Sequence, residues 1–190
     1  MSTAMRKPML IEAFLKWEER QELRWEFDGF APVAMTGGSN EHEAIGTRLR
    51  TLLDMALLGK PCRVRGPTMK IEAAGRIRYP DAFVFCSGTV RGQMVITDPI
   101  VVFGVLIPSP SRIDRIEKLR EYQATPSIRR YVLLEQDAIA ATVYLKRDEA
   151  WTVSVVTGDA MLAMPEIETE IPLAEIYRDV ELPPDELVEA

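Results

Sequence analysis

Ile100-Val101-Val102-Phe103-Gly104-Val105-Leu106 is a continuously apolar run of strand length. Apolarity at every position, rather than at every second one, predicts a central strand buried on both faces. Pro108-Ser109-Pro110-Ser111 follows and forces a rigid turn. Ser111 is placed to cap a helix from Arg112 to about Ala124, which Thr125-Pro126-Ser127 closes. Tyr131-Val132-Leu133-Leu134 then reads as another buried strand. Strand, crossing helix and strand make a right-handed βαβ unit, with the apolar run as its first member.

Upstream of this unit, Leu10, Phe14, Leu15 and Trp17 fall near one face of a short amphipathic helix within Met9 to Glu22. Arg24 to Asp28 alternates like a strand, Asp28-Gly29 signals a hairpin turn, and Phe30 to Met35 returns. Ser39 or Asn40 caps the next helix, with Glu43 placed for a capping box on Asn40. Ile45, Leu49, Leu52, Leu53, Ala56 and Leu57 carry its helical period until Gly59 and Pro61 end it. Cys62 to Glu72 reads as a strand interrupted near Gly66-Pro67. Ala73-Ala74-Gly75 turns, and Ile77 to Cys86 reads as one further strand carrying Tyr79-Pro80-Asp81. Ser87 to Gln93 is a loop.

Downstream, Ala140 to Leu145 and Trp151 to Val156 form a hairpin. The remainder reads as a short acidic tail with a small helix at Leu173 to Arg178, frayed beyond Pro183-Pro184. Helices alternate with groups of strands, so the class is α/β (α+β), a central mixed sheet flanked by helices. We expect a single domain over residues 1–190, with a core at about 10–157 and a C-terminal extension at 158–190. There is no internal repeat.

The bulk numbers narrow the function. The chain has 190 residues, 47% of them hydrophobic and 27% charged, as in ordinary globular proteins. No apolar run reaches the ~18 residues of a membrane helix, and Arg6 and Lys7 precede a stretch broken by Glu12, Lys16, Glu18 and Glu19 rather than a leader. The expected location is cytoplasmic, with no membrane partner. Cys62 and Cys86 have no metal-site spacing and read as core thiols rather than a disulfide. His42 is the single histidine, which argues against a zinc hydrolase or a histidine triad. It reads as a helix-surface or pocket-wall group. A net charge of -6 argues mildly against a protein that coats DNA without selectivity.

The candidate chemistry gathers around Asp81, which follows Pro80, and around the helix beyond the central strand. Spacing puts Ile113, Ile116, Leu119 and Gln123 on one face of that helix, expected to pack on the sheet. Asp114, Lys118, Glu121 and Tyr122 fall on the other, from which Lys118 and Tyr122 would look toward Asp81. Two carboxylates and a lysine are what metal-dependent phosphodiester hydrolysis requires. The carboxylates hold a hard cation, the cation activates water, and the lysine offsets developing charge. Arg63, Arg65, Arg76 and Arg78 flank the Pro-Asp region, where they could meet phosphates or simply be solvated. Trp25 and Trp151 read as packing groups.

Three stretches carry a resemblance: Arg76-Ile77-Arg78-Tyr79-Pro80-Asp81-Ala82-Phe83-Val84-Phe85; Thr97-Asp98-Pro99 running into the apolar strand; and Pro126-Ser127-Ile128-Arg129-Arg130-Tyr131-Val132-Leu133 after Asp114, Lys118 and Tyr122. With Trp25-Glu26-Phe27-Asp28-Gly29 and His42 upstream, the series resembles the Uma-type family of bacterial restriction endonucleases in the PD-(D/E)XK nuclease superfamily, over roughly Leu10 to Trp151. The resemblance implies a restriction-endonuclease-like fold, a metal-dependent DNA endonuclease using Mg²⁺ or Mn²⁺, DNA as partner, and a homodimer. It implies Asp81 as metal ligand, Lys118 as the lysine migrated from the strand to the helix, and Tyr122 as the helix tyrosine. It also places Glu26 near the site. Leu106 stands where the unmigrated lysine would be, Gly104 where the glutamate is expected, and Ile107 where a serine is expected. The chain therefore reads either as an endonuclease impaired at Gly104 or as a catalytically inactive descendant that binds nucleic acid or protein. A module unrelated to DNA is a third reading. Glu26, Glu43, Glu72 and Asp114 are the carboxylates available as substitutes.

Overall fold

The computed structural model describes residues 9–35, 37–107 and 112–183, and at 112–114 the backbone alone. The expected turn and cap at Pro108–Ser111, and the tail after Pro183, lie outside the described residues.

A six-stranded mixed sheet forms the centre, in the order β11-β10-β9-β8-β6-β3. Its members are β3 (Arg63–Arg65), β6 (Ala82–Phe85), β8 (Val101–Val105), β9 (Arg130–Leu134), β10 (Ala140–Arg147) and β11 (Ala150–Thr157). The apolar run is β8, and it pairs in parallel with β9 across the helix α3 (Arg112–Ala124), as the βαβ reading requires. Its unbroken apolarity has a plain cause. Val101, Phe103 and Val105 pack with Ile45, Leu49 and Leu53 of α2 (Asn40–Ala56) on one side. Val102 and Leu106 pack with Tyr122 of α3 on the other. Helices thus cover both faces, and every position of β8 except the partly buried Gly104 meets a core.

A second sheet of five short strands has the order β2-β1-β5-β4-β7. It contains β1 (Trp25–Phe27), β2 (Pro32–Ala34), β4 (Lys70–Ala73), β5 (Arg76–Arg78) and β7 (Val95–Ile96). The helix α1 (Ile11–Glu18) lies on it, with Phe14 stacked on Phe27 at 5.0 Å. The stretch Ile77 to Cys86, expected as one strand, is two strands in different sheets. Pro80 has no N–H to give a ladder, and the chain leaves β5 and enters β6 around it.

Two further expectations are corrected. Cys62 and Cys86 form a disulfide. Arg63 pairs with Phe85 in the antiparallel β3–β6 ladder, which sets the two cysteines side by side at its end; sequence spacing does not reveal that register. The stretch after β11 is also more than a tail. It forms a hairpin of β12 (Met161–Met164) and β13 (Thr169–Pro172), then the short helix α4 (Leu173–Ile176) at the expected place. Leu162, Met164, Ile167, Ile171, Leu173 and Ile176 are buried in the α2-side core. Two charged anchors hold it: Arg130 takes the Glu166 carboxylate with two donors, and Arg48 binds Glu175. Among the described residues no helix is long and apolar enough to cross a membrane.

Candidate functional site

A cleft of about 470 Å³ opens where the two sheets meet. Glu26, Asp81, Gly104, Lys118 and Tyr122 all line it, so the five positions singled out in sequence converge on one place. His42, Arg115 and Tyr131 join them, and Val33, Met35 and Ile107 give it an apolar wall.

Ala82 of β6 stands opposite Phe103 of β8, so Asp81 falls one step further, across from Gly104. Asp81 Oδ2 accepts the Val105 N–H at 2.7 Å. Asp81 Oδ1 lies 3.4 Å from His42 Nε2. The N-terminus of α2 brings His42 there. Ser39 Oγ caps the helix by accepting the His42 N–H at 3.2 Å, and it donates to Gln136 Oε1 at 2.7 Å. Gln136 in turn donates to the Leu106 carbonyl at 2.6 Å. The helix start is therefore tied to the end of β8. The hydrogen bond to the Asp81 carboxylate holds the His42 pKa above the ordinary histidine value, against burial, which lowers it.

Lys118 Nζ lies 3.2 Å from Glu26 Oε2. The same Glu26 carboxylate accepts from Arg78 at 3.1 Å and from the Tyr79 N–H at 3.2 Å. Arg78 is buried and also grips Glu121 with two donors, at 2.7 and 2.6 Å. This corrects the faces assigned to α3. Glu121 and Tyr122 point inward, while Ile116 is 40% exposed. The buried ion pair outweighs the apolar periodicity: a carboxylate facing a buried guanidinium is held there by charge and hydrogen bonds. Burial keeps the Tyr122 phenol well above its ordinary pKa, so it is a neutral hydroxyl at working pH.

Gly104 sits within the β8–β9 ladder, opposite Leu133. Its φ is outside the positive range that demands glycine, and the register shows no bulge. A Cβ here would meet Leu133 Cδ2 at 3.2 Å and the Tyr131 hydroxyl oxygen at 3.4 Å. Both are side-chain atoms, so the backbone places no bar on a larger residue.

The other candidates are elsewhere. Glu43 pairs with Arg50 on an exposed helix face, and Glu72 lies on β4 away from the cleft lining. Asp114 is beyond the described side chains. Arg78 is committed to Glu26 and Glu121, and Arg76 to Glu121 at 3.0 Å. Arg63 and Arg65 donate to nearby backbone carbonyls, so none of these four arginines lines the cleft. Tyr131 and Arg115 were missed in sequence. Tyr131 begins an apolar strand, and only the β8–β9 register reveals that it flanks Gly104.

A hard divalent cation needs several oxygen ligands. Here both Asp81 oxygens have protein neighbours, Gly104 offers none, and both Glu26 oxygens are engaged by Arg78, Tyr79 and Lys118. Among the described residues no group of three or more histidine, cysteine, aspartate or glutamate side chains could hold a metal ion. The arrangement present does not fit the cation that the family chemistry implies.

The model of the Uma2 family, described as "Putative restriction endonuclease", matches residues 11–174. The chain belongs to the Uma2 family. A Synechocystis protein, slr1290, is 32% identical over 171 residues, covering 88% of this Uma2 chain and 90% of its own length. A crystal structure from Anabaena variabilis, described as "a putative nuclease belonging to DUF820", superposes with a TM-score of 0.73 over 90% of this chain and 98% of that one. At 16% identity the latter speaks for the Uma2 fold alone. The restriction-endonuclease-like architecture, α+β with a mixed central sheet between helices, agrees with both.

Proposed function

We propose that this chain is a nuclease-derived protein whose cleft receives DNA and whose hydrolytic centre is impaired at Gly104. The observation that carries the reading is the placement of Asp81 across the sheet from a glycine. Phosphodiester hydrolysis of the family's kind needs two carboxylates sharing a divalent cation, Mg²⁺ or Mn²⁺. One of the two positions has no side chain. Beside its two carboxylates the cleft carries Lys118, Arg115 and His42, cationic or protonatable groups of the kind that meets phosphate oxygens. We further propose that the protein works as a homodimer, because a duplex presents two strands.

An active endonuclease is the second reading. Glu26 favours it, because that carboxylate lines the same cleft and would be free to join Asp81 if Lys118 and Arg78 released it.

Plasmid nicking in Mg²⁺ or Mn²⁺ separates the two, using wild type, Asp81→Asn, Gly104→Glu, and Gly104→Glu combined with Asp81→Asn. The expected result is no cleavage by wild type, cleavage by Gly104→Glu, and none by the double variant. Wild-type cleavage that Asp81→Asn alone abolishes would establish the second reading instead. DNA retention is measured beside it across a salt series; phosphate contacts require affinity that falls as salt rises.

A further inference from the structure

We propose that β11 is the edge through which two copies of this chain join, strand against antiparallel strand. This rests on the homodimer reading above and names its interface; it holds whether or not the cleft hydrolyses anything, and a dimer that ignores β11 substitutions would end this proposal while leaving that reading standing.

Among the described residues the six-stranded sheet ends on β3 at one side and on β11 at the other. β3 is three residues long, and its Arg63 and Arg65 are exposed charges. β11 is eight residues, Ala150-Trp151-Thr152-Val153-Ser154-Val155-Val156-Thr157. It contains no charged residue and no proline. Its register with β10 runs unbroken over the whole length, so no bulge turns it away. An edge strand presents a row of N–H and C=O groups without ladder partners, and proteins ordinarily guard such edges with lysine, proline, bulges or shortness. β11 has none of these guards.

The side chains point the same way. Trp151, Val153 and Val155 alternate onto the face that carries α3, because Trp151 packs with the Tyr122 cluster. Val153 and Val155 are 63% and 65% exposed. The occupant is a second copy on grounds of charge. Each copy carries a net charge of -6, so copies repel except where charge is absent, and β11 is eight residues long without any. A strongly basic or acidic partner would find no counter-charge there. An antiparallel two-fold pairing sets the valines of one copy against those of the other, a favourable cross-strand match. It would also extend a row already in the sheet. Gly104 stands opposite Leu133, Leu133 opposite Thr142, and Thr142 opposite Val155. The row that begins in the cleft ends at the proposed interface.

Sedimentation velocity of the full chain, from low to high micromolar concentration, tests the proposal. Wild type is expected to move from one chain mass toward twice that mass as concentration rises. A Val153→Lys, Val155→Lys double variant is expected at the single mass with an unchanged circular-dichroism spectrum, since both positions are exposed. Hydrogen exchange on wild type gives a second measure that needs no variant: β11 amides should exchange more slowly as concentration rises. A wild type that stays monomeric over the range would overturn the proposal. So would a dimer that survives in the folded double variant. Protection of β11 that ignores concentration would also overturn it, since the edge is then open or covered by its own chain.

Discussion

Asp81 and Val105 are joined by a hydrogen bond of 2.7 Å, from the Val105 amide to Asp81 Oδ2, immediately past Gly104. The residue expected to bind metal therefore also fastens the start of β6 to the end of β8, its neighbour in the sheet. Asp81→Ala leaves the Val105 N–H without its acceptor, at a cost of about 1–3 kcal/mol. Asp81→Asn keeps an oxygen for that N–H and should lose less. Urea unfolding at neutral pH reads both, and an alanine variant with the wild-type midpoint would refute the fastening role. Asparagine is accordingly the cleaner substitution for activity assays.

Gly104 is the second position where stability and site diverge. Glycine inside a strand costs roughly 0.5–1 kcal/mol relative to alanine, and the crowding a Cβ would meet comes from the ends of Leu133 and Tyr131 side chains. Gly104→Ala should fall within about 1 kcal/mol of wild type, because the two effects oppose each other. Gly104→Glu must in addition displace the Tyr131 ring or reach into the cleft, and should cost about 1–3 kcal/mol. It also sets a second carboxylate near Asp81. Thermal unfolding with and without Mn²⁺ then discriminates: the ion should raise the melting temperature of Gly104→Glu and leave that of wild type unchanged. An equal shift in both proteins would show that the ion binds elsewhere.

The β8-α3-β9 unit was legible because its signals are local: an all-apolar run, a Pro-Ser turn, a helix and a second apolar run. The convergence of Asp81, Lys118, Tyr122 and Glu26 was legible only through the order of motifs, since their contacts span up to 92 residues between Glu26 and Lys118. What escaped is what pairing decides. The inward turn of Glu121 depends on Arg78 being buried opposite it. The Cys62–Cys86 bond depends on the β3–β6 register. The burial of Ile171 and Ile176 depends on α2 offering an apolar side to a stretch whose own composition looks acidic. Periodicity says which residues share a face; it does not say which partner can override that face.

Arg78 is where such a partner has the greatest energetic weight. It is buried between two carboxylates, Glu26 and Glu121, and it steadies the Glu26 that meets Lys118. Arg78→Met removes the guanidinium that bridges the two, leaving buried negative charge poorly compensated. The expected loss is about 3–5 kcal/mol. Arg78→Lys keeps the charge without the planar fork and should lose less. Adding Glu121→Gln to Arg78→Met should recover part of the loss, because the stranded carboxylate is gone. Denaturant midpoints of wild type, Arg78→Met, Glu121→Gln and the double variant close a double-mutant cycle, and strict additivity would contradict the coupling.

The His42–Asp81 contact gives the fold a pH dependence of definite sign. Asp81 raises the His42 pKa by hydrogen bond and by charge, Glu43 adds to the rise, and burial and Arg50 work against it. A histidine whose folded pKa exceeds its unfolded value of about 6.5 stabilises the fold fully below that value. The contribution is lost as pH rises through the folded pKa. Wild type should therefore lose stability over that window relative to His42→Gln, whose profile should be flatter there. His42 is the chain's one histidine, so its imidazole proton resonance can be followed alone in an NMR titration. The midpoint should lie above the value in an unfolded peptide, and Asp81→Asn should bring it down. A wild-type midpoint at or below the peptide value would mean that burial and Arg50 dominate, and that the carboxylate across from Gly104 is not the partner that holds His42 in the cleft.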